Sequence, residues 1–324
     1  MKKRLVLSGL VVGVLALALV LHQRQAREVR HTLRWPVMGT VAQLSICGPV
    51  DEALAATVRT TYARLNGLFS AWDPDSELSR LAAAGCTNWV DAVSDEVKPC
   101  YAAALKLAEE SDHAFNPAMG RTLRALGVGN GKYSDFDLGA IAKGFAVDRA
   151  AAEVLTGTGP APSLLLDLGG NLRVVGDAVW RTGIRNPFAA RQPNQPPYVA
   201  LIALTNGESV ATSGNYERFI DQNGLRLSHI LDGRTGRPTH GIAGVTVVTP
   251  ASYGAMLADG LSTTLFVLGP DAGAKFLASR YPEALALWIP DTPEDPKIEA
   301  TPQMAARLEN LTVPLRTSPQ RSDP

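Results

Sequence analysis

Two hydrophobic periods alternate along residues 35–290, and the switches between them outline the elements. Trp35 to Ile46 predicts a first strand. Asp51 then opens a helical pattern with Leu54, Val58, Leu65 and Leu68 on one stripe. A loop follows from Ser70 to Leu81, and Ser94 is placed to cap a second helix carrying Val97, Tyr101, Leu105 and Ala108. Gly127 to Lys132 reads as a glycine-rich turn and Leu138 to Leu155 as a helix. The second half holds more strands: Ser163 to Asp167, Leu172 to Val175, Tyr198 to Leu204, Ser209 to Thr212, Leu225 to Leu231 and Val245 to Val248. Tyr253 to Leu268 and Asp271 to Ser279 are helical runs, and Ala284 to Ile289 is a late strand. Pro187 to Pro197 is a proline-rich surface loop. No internal repeat and no firm linker divides the body, so residues 35–290 are expected to form one mixed α+β unit. Residues 291–324 are polar and proline-rich, and are expected to be a partly ordered extension.

Residues 1–34 have a different pattern. Lys2, Lys3 and Arg4 precede an uncharged run from Leu5 to Leu21. As a helix this run would be about 25 Å long, just short of a bilayer's hydrocarbon core. It fits a signal peptide or an uncleaved anchor. The anchor is favoured, because the run ends directly in Leu21-His22-Gln23-Arg24 without a small-residue cleavage site. Arg24, Arg27 and Arg30 follow the run, which weakens the orientation argument from charge. The expectation is an inner-membrane anchor with a periplasmic body, a cleaved periplasmic form being the alternative.

Composition narrows the function classes. Lys+Arg and Asp+Glu are 31 each, and no basic stripe marks a nucleic-acid binder. Three cysteines rule out a disulfide scaffold, and no pair has zinc spacing. Cys86 and Cys100 could pair or remain thiols. P-loop, G-x-G-x-x-G, H-E-x-x-H and G-x-S-x-G patterns are missing.

Five polar, glycine-bearing segments remain. Phe69-Ser-Ala-Trp-Asp-Pro74 is either a capped loop or a loop that offers Trp72 as an aromatic shelf. In Asp137-Leu-Gly-Ala-Ile-Ala-Lys143, a helix starting at Gly139-Ala140 would aim free amides at an anion, with Lys143 in reach of phosphate. An ordinary amphipathic helix fits equally well, and Asp148 reads as a structural partner or a surface charge. Asp167-Leu-Gly-Gly-Asn171 permits a tight turn or a close backbone approach to a ligand. His229 and Asp232 are spaced to act as a base and its orienting group. Asp259 and Thr263 share a helix face inside an apolar run. A carboxylate there needs a partner: backbone amides, or a hard cation such as Mg²⁺ or Ca²⁺ shared with hydroxyl and carbonyl oxygens.

Taken in order, these segments resemble the ApbE family of FAD:protein FMN transferases. The matching pieces are Met38-Gly-Thr40, Phe69-Ser-Ala-Trp-Asp-Pro74, Phe115-Asn-Pro117, Asp137 to Asp148, Asp167 to Asn171, Gly183 to Pro187, Thr212-Ser-Gly214, His229 to Asp232 and Ala258 to Thr263. The resemblance implies a single α+β body of the ApbE, T-fold-like kind. It implies transfer of the FMN half of FAD to a Thr or Ser hydroxyl of a target protein, with release of AMP. It also implies Mg²⁺ held by Asp259, Thr263, the Ala140 carbonyl and Ser262. FAD contacts would come from Asp137 and Lys143 and from the Asn116-Pro117-Ala118 stretch, with Met38, Trp72 and Ile230 as walls. His229 would activate the acceptor, with Asp232 close by. Acceptors of this family are typically electron-transfer proteins at the membrane.

Asn116, Asn171 and Asn215 stand where the family usually has Asp, and Gly233 where Pro is frequent. Each Asn loses a charge but keeps a hydrogen-bonding oxygen. Two alternatives use the same residues: an FAD pyrophosphatase, and a non-catalytic flavin-binding or delivery protein. Retention of His229, Asp259 and Thr263 argues against the second.

Overall fold

The computed structural model describes residues 30–127, 136–156, 163–189, 195–216 and 225–317, and the strand at 219–222; side chains are described outside 217–227. The N-terminal run expected to be a signal or anchor lies outside the described residues, as do most of the Gly127–Lys132 turn and the middle of the proline-rich loop. Among the described residues no helix is long and apolar enough to cross a membrane.

The expected first strand is two. Strands β1 (Arg30–Val37) and β2 (Thr40–Cys47) form an antiparallel hairpin closed by Met38 and Gly39. Both turn residues are left-handed, with φ of 50° and 67°. A two-residue turn of this hand normally announces itself with Asn-Gly or Asp-Gly; Met hides it from the pattern.

Helix α1 (Glu52–Phe69) begins as expected, with Asp51 accepting from the amides of Ala53 and Leu54. Helix α2 (Glu77–Ala83) occupies part of the expected loop, capped by Ser76. Helix α3 (Lys98–Glu110) starts later than Ser94. Ser94 instead forms a turn, its carbonyl accepting from Val97 and Lys98 while Glu77 takes its amide. The buried stripe of α3 is Cys100, Tyr101, Ala104, Leu107 and Ala108, and Leu105 is exposed. The three cysteines are free thiols. Burial raises the pKa of the Cys100 thiol, with the nearby Asp259 charge adding to the effect. Helix α4 (Ala142–Leu155) starts two to three residues after the expected Gly139-Ala140.

The remaining strands are β3 (Ser163–Leu168), β4 (Asn171–Val175), β5 (Trp180–Arg185), β6 (Tyr198–Leu204), β7 (Ser209–Gly214), β8 (Phe219–Gln222), β9 (Leu225–Ser228), β10 (Leu231–Asp232), β11 (Arg237–Pro238) and β12 (Ile242–Thr249). After helix α5 (Gly254–Arg280) come β13 (Leu285–Pro290), β14 (Ile298–Ala300), β15 (Leu308–Glu309) and β16 (Leu315–Thr317). The expected Leu225–Leu231 strand is thus interrupted at His229-Ile230. Strand β5 is hard to read in the sequence because Thr182 puts a polar residue on its inward face between Trp180 and Ile184. Helix α5 changes course at left-handed Gly269, before Pro270, which reproduces the two helical runs expected there.

Nine strands form the main sheet in the order β1-β2-β3-β4-β7-β12-β13-β14-β16. Its neighbours are antiparallel except the final pair. Strand β3 shows how both faces are buried. Leu164, Leu166 and Leu168 join a core with helices α1, α3, α4 and α5. Leu165 joins a second core with β5 and β6 of the three-stranded cover sheet, β15-β6-β5. Strand β12, near the middle, is buried at all eight positions.

The extension after Pro290 is joined to the main sheet as far as Thr317. Ile298, Ala300 and Met304 are fully buried, and Arg307 forks onto Glu208 at 2.6 and 2.9 Å. These anchors lie too far apart in sequence to make a readable periodic pattern, which is why the sequence suggests looser order.

Candidate active site

The site is built where α4 crosses α5. Gly144 is the third residue of α4, so its amide has no partner inside the helix. Asp259 on α5 supplies one: its Oδ2 accepts from the Gly144 amide at 3.0 Å. The approach depends on glycine, because a Cβ at position 144 would lie 2.2 Å from the Ala255 carbonyl oxygen and 2.8 Å from the Asp259 Cβ. Asp259 is buried, and Lys143 Nζ lies 3.7 Å from the same carboxylate oxygen. Lys143 also donates to the Gly139 carbonyl at 3.0 Å, which bends its ammonium back over the helix entrance.

Two hydroxyl residues share the helix face of Asp259. Ser262 and Thr263 follow Asp259 by three and four residues, and Ser262 donates to the Asp259 carbonyl at 2.8 Å. Ser213, at the end of β7, lies 2.7 Å from Ser262 Oγ and 3.0 Å from Thr263 Oγ1. Nothing in the sequence singles out Ser213 beyond its place in the Thr212-Ser-Gly214 segment. Among the described residues no three His, Cys, Asp or Glu side chains cluster. The donor set is one carboxylate with hydroxyl oxygens, and Ala140 lies two residues before the start of α4. Hard oxygens of this kind suit Mg²⁺ or Ca²⁺.

Other segments converge in pairs. Asp137 donates its amide to the Pro117 carbonyl at 2.7 Å, and its Oδ1 accepts from Gly139 at 2.7 Å. That turn leads the chain into α4. Asn116 Oδ1 accepts from Ala118 at 2.9 Å. Gly169 and Gly170 close the β3–β4 hairpin with φ of 61° and 87°. A Cβ on Gly169 would lie 2.5 Å from Thr40 Oγ1, so this turn and the Met38-Gly39 turn abut. Met38 is half-buried against the helix-side core. Trp72 is 51% exposed, in a loop held by Ser70 Oγ, and Phe69 at its start meets Phe145 of α4 edge-on.

His229 is half-buried between β9 and β10. The next residue, Ile230, is buried, and its carbonyl accepts from both the amide and the hydroxyl of Thr239. The Asp232 carboxylate is engaged by Arg234 through two side-chain bonds of 2.8 Å and by the Arg234 amide at 3.0 Å. This fork holds its carboxyl below the usual carboxylate range. Through Arg234, Asp232 stiffens its own loop. Asp148, read as a structural partner or surface charge, is structural: it accepts from the amides of Ala255 and Met256 and pairs with Arg173.

The fold recurs in one family. Residues 38–136 and 131–288 match the ApbE family model, and the chain belongs to the ApbE family. An FAD:protein FMN transferase of Rhodobacter capsulatus is 34% identical over 84% of this chain. The chain spans 57% of that relative's length. One from Treponema pallidum is 32% identical, over 78% of this chain and 82% of the relative. The ApbE protein of Thermotoga maritima superposes with a TM-score of 0.73 at 26% identity, over 87% of this chain and 100% of that one. The flavin transferase ApbE of Vibrio cholerae shares the fold, with a TM-score of 0.71 at 24% identity over 86% of this chain and 99% of that one.

Proposed function

We infer that this chain transfers the FMN moiety of FAD to a Thr or Ser hydroxyl of an acceptor protein and releases AMP. Curated relatives named FAD:protein FMN transferase support the reading. The observation that carries it is Asp259, bound to the Gly144 amide with Lys143 at 3.7 Å, on the same helix as Ser262 and Thr263, whose hydroxyls both meet Ser213. Asp259, Thr263, Ser262 and the Ala140 carbonyl are the residues that would hold Mg²⁺, whose contribution is to neutralise charge on the pyrophosphate. Ca²⁺ is the alternative ion for the same oxygens.

The chain's own groups divide the remaining work. Lys143 faces the pyrophosphate, and Asp137 and the Asn116-Pro117-Ala118 turn line the FAD side. Met38, Trp72 and Ile230 offer apolar walls to the flat rings. His229 takes the proton of the acceptor hydroxyl as its oxygen attacks the FMN phosphorus. The new bond joins that oxygen to phosphorus, the pyrophosphate linkage breaks, and the bridging oxygen leaves with AMP. Positioning and charge neutralisation supply most of the catalysis in such displacements.

The acceptor and the cellular location extend this reading. The Leu5–Leu21 run and its preceding charges favour an inner-membrane anchor, a periplasmic body and membrane-linked electron-transfer acceptors. An alkaline phosphatase fusion after Trp35 should be active; an inactive one, with an active cytoplasmic reporter at the same point, reverses that topology. The activity itself is tested by mixing protein, FAD and Mg²⁺ with an acceptor domain. Flavin fluorescence on the acceptor band in a denaturing gel is expected. Free FMN and AMP without a labelled band would make the protein a pyrophosphatase instead.

A further inference from the structure

We propose that Ser213 is a positioning residue for the metal site: it accepts the proton of the Thr263 hydroxyl and so leaves that oxygen open to a cation. The direction of the hydrogen bonds follows from counting protons. A carbonyl only accepts, so the one proton of Ser262 goes to the Asp259 carbonyl at 2.8 Å. Ser262 therefore accepts from Ser213, 2.7 Å away. That uses the one proton of Ser213, so across the 3.0 Å contact Thr263 donates and Ser213 accepts. The relay runs from Thr263 through Ser213 and Ser262 to the Asp259 carbonyl. With its proton directed at Ser213, the Thr263 oxygen keeps two lone pairs for a hard cation. A threonine inside a helix otherwise tends to turn its proton back to the carbonyl four residues earlier. The next residue, Thr264, does so, donating to Gly260 at 2.8 Å.

Ser213 suits this role because the end of β7 is fixed on both sides of the sheet. It pairs with Val245 of β12, which lies in the helix-side core, so the Ser213 side chain faces α5. Beyond it, the Asn215 amide donates to the Ala243 carbonyl at 3.1 Å. The Asn215 side chain donates to the Ile242 carbonyl at 3.3 Å and to Asp291 at 3.1 Å. A Cβ on Gly214 would lie 2.3 Å from the Tyr216 ring, so that ring closes over the strand end. A hydroxyl held this firmly on the sheet fixes the rotamer of Thr263 on the helix. Partners that orient a metal ligand typically contribute about ten- to 10²-fold in metal affinity.

This inference rests on the proposed metal set, with Thr263 in it. The probe is Mg²⁺ alone, titrated by calorimetry into the full chain without FAD. FAD affinity, thermal melting and the Mg²⁺ dependence of transfer are measured beside it. Ser213→Ala should bind Mg²⁺ about ten- to 10²-fold more weakly, while metal-free FAD affinity stays within about twofold. It should melt near the parent without Mg²⁺, and saturating Mg²⁺ should restore most of the parent kcat. Ser213→Gly removes the same oxygen and should lose Mg²⁺ affinity likewise. Ser213→Ala/Thr263→Val should bind Mg²⁺ no more weakly than Thr263→Val, because Ser213 acts through that hydroxyl. Parent Mg²⁺ affinity in the Ser213 variants, with Thr263→Val weakened, overturns the inference. So do losses that multiply in the double variant, or metal-free FAD affinity falling in step with Mg²⁺ affinity. Thr263→Val at the parent Mg²⁺ affinity would instead overturn the metal set beneath it.

Discussion

Asp148 and Asp259 cap each other's helices. Asp148, on α4, accepts from the amides of Ala255 and Met256 at the start of α5, both at 2.8 Å. Asp259, on α5, accepts from Gly144 in the first turn of α4. Each carboxylate meets the positive end of the other helix, so the crossing is fixed from both sides. One carboxylate also pairs with Arg173, and the other lies 3.7 Å from Lys143.

The two exchanges should separate stability from activity. Asp148→Ala removes two caps and leaves Arg173, which is mostly buried, without its partner. A loss of about 2–4 kcal/mol is expected in denaturant melts. Asp259→Asn keeps an oxygen for the Gly144 amide, so it should melt near the parent yet lose Mg²⁺-dependent transfer. Full transfer by Asp259→Asn would remove that residue from the metal set.

Gly144→Ala tests how closely the helices must approach. The added methyl has no room beside the Ala255 carbonyl, so the crossing must open. We expect destabilisation of about 1–3 kcal/mol and a raised Mg²⁺ requirement in transfer assays. A variant with unchanged melting and metal dependence would show that the crossing yields freely.

Lys143→Ala should weaken FAD binding far more than riboflavin binding, since only FAD carries the pyrophosphate. Fluorescence titration of both ligands reads this directly. Equal losses would leave the lysine a purely structural contact of Gly139 and Asp259.

His229→Ala should bind FAD with near-normal affinity and transfer FMN at least about 10²-fold more slowly. Single-turnover labelling of an acceptor domain measures the rate, and a variant that merely fails to bind FAD contradicts the assignment.

Glu208 should make the packing of the C-terminal segment sensitive to acid. Burial alone would raise its carboxyl, but the Arg307 fork and the amide and hydroxyl of Thr205 outweigh burial and hold it below 4.5. A lowered folded pKa gives stability that is present above the unfolded value and lost as pH falls through the folded one. Glu208→Gln should therefore melt lower than the parent at neutral pH, with the gap closing below about pH 4.5. A gap independent of pH would mean that packing, and not charge, holds the segment.

The elements that depend on local physics were legible in the chain itself. Asp51 announced α1, and the β6 bounds coincide with the apolar run Tyr198–Leu204. The spacing of Asp259 and Thr263 already placed two oxygens on one helix face. The Met38-Gly39 turn was not legible, because its left-handed Met carries no turn signature and the surrounding packing enforces it. Nor was the packing after Pro290, where Ile298, Ala300 and Met304 are buried by strands far away in sequence. Periodicity reports only which side of an element turns inward, not which partner it meets there. Ser213 beside Thr263, Arg234 on Asp232, and Asn116 beneath Gly233 are such meetings. Sequence chose the residue types and their local spacing. Tertiary structure decided which of them touch, because contacts between residues tens of positions apart follow from how the sheet stacks and the helices cross.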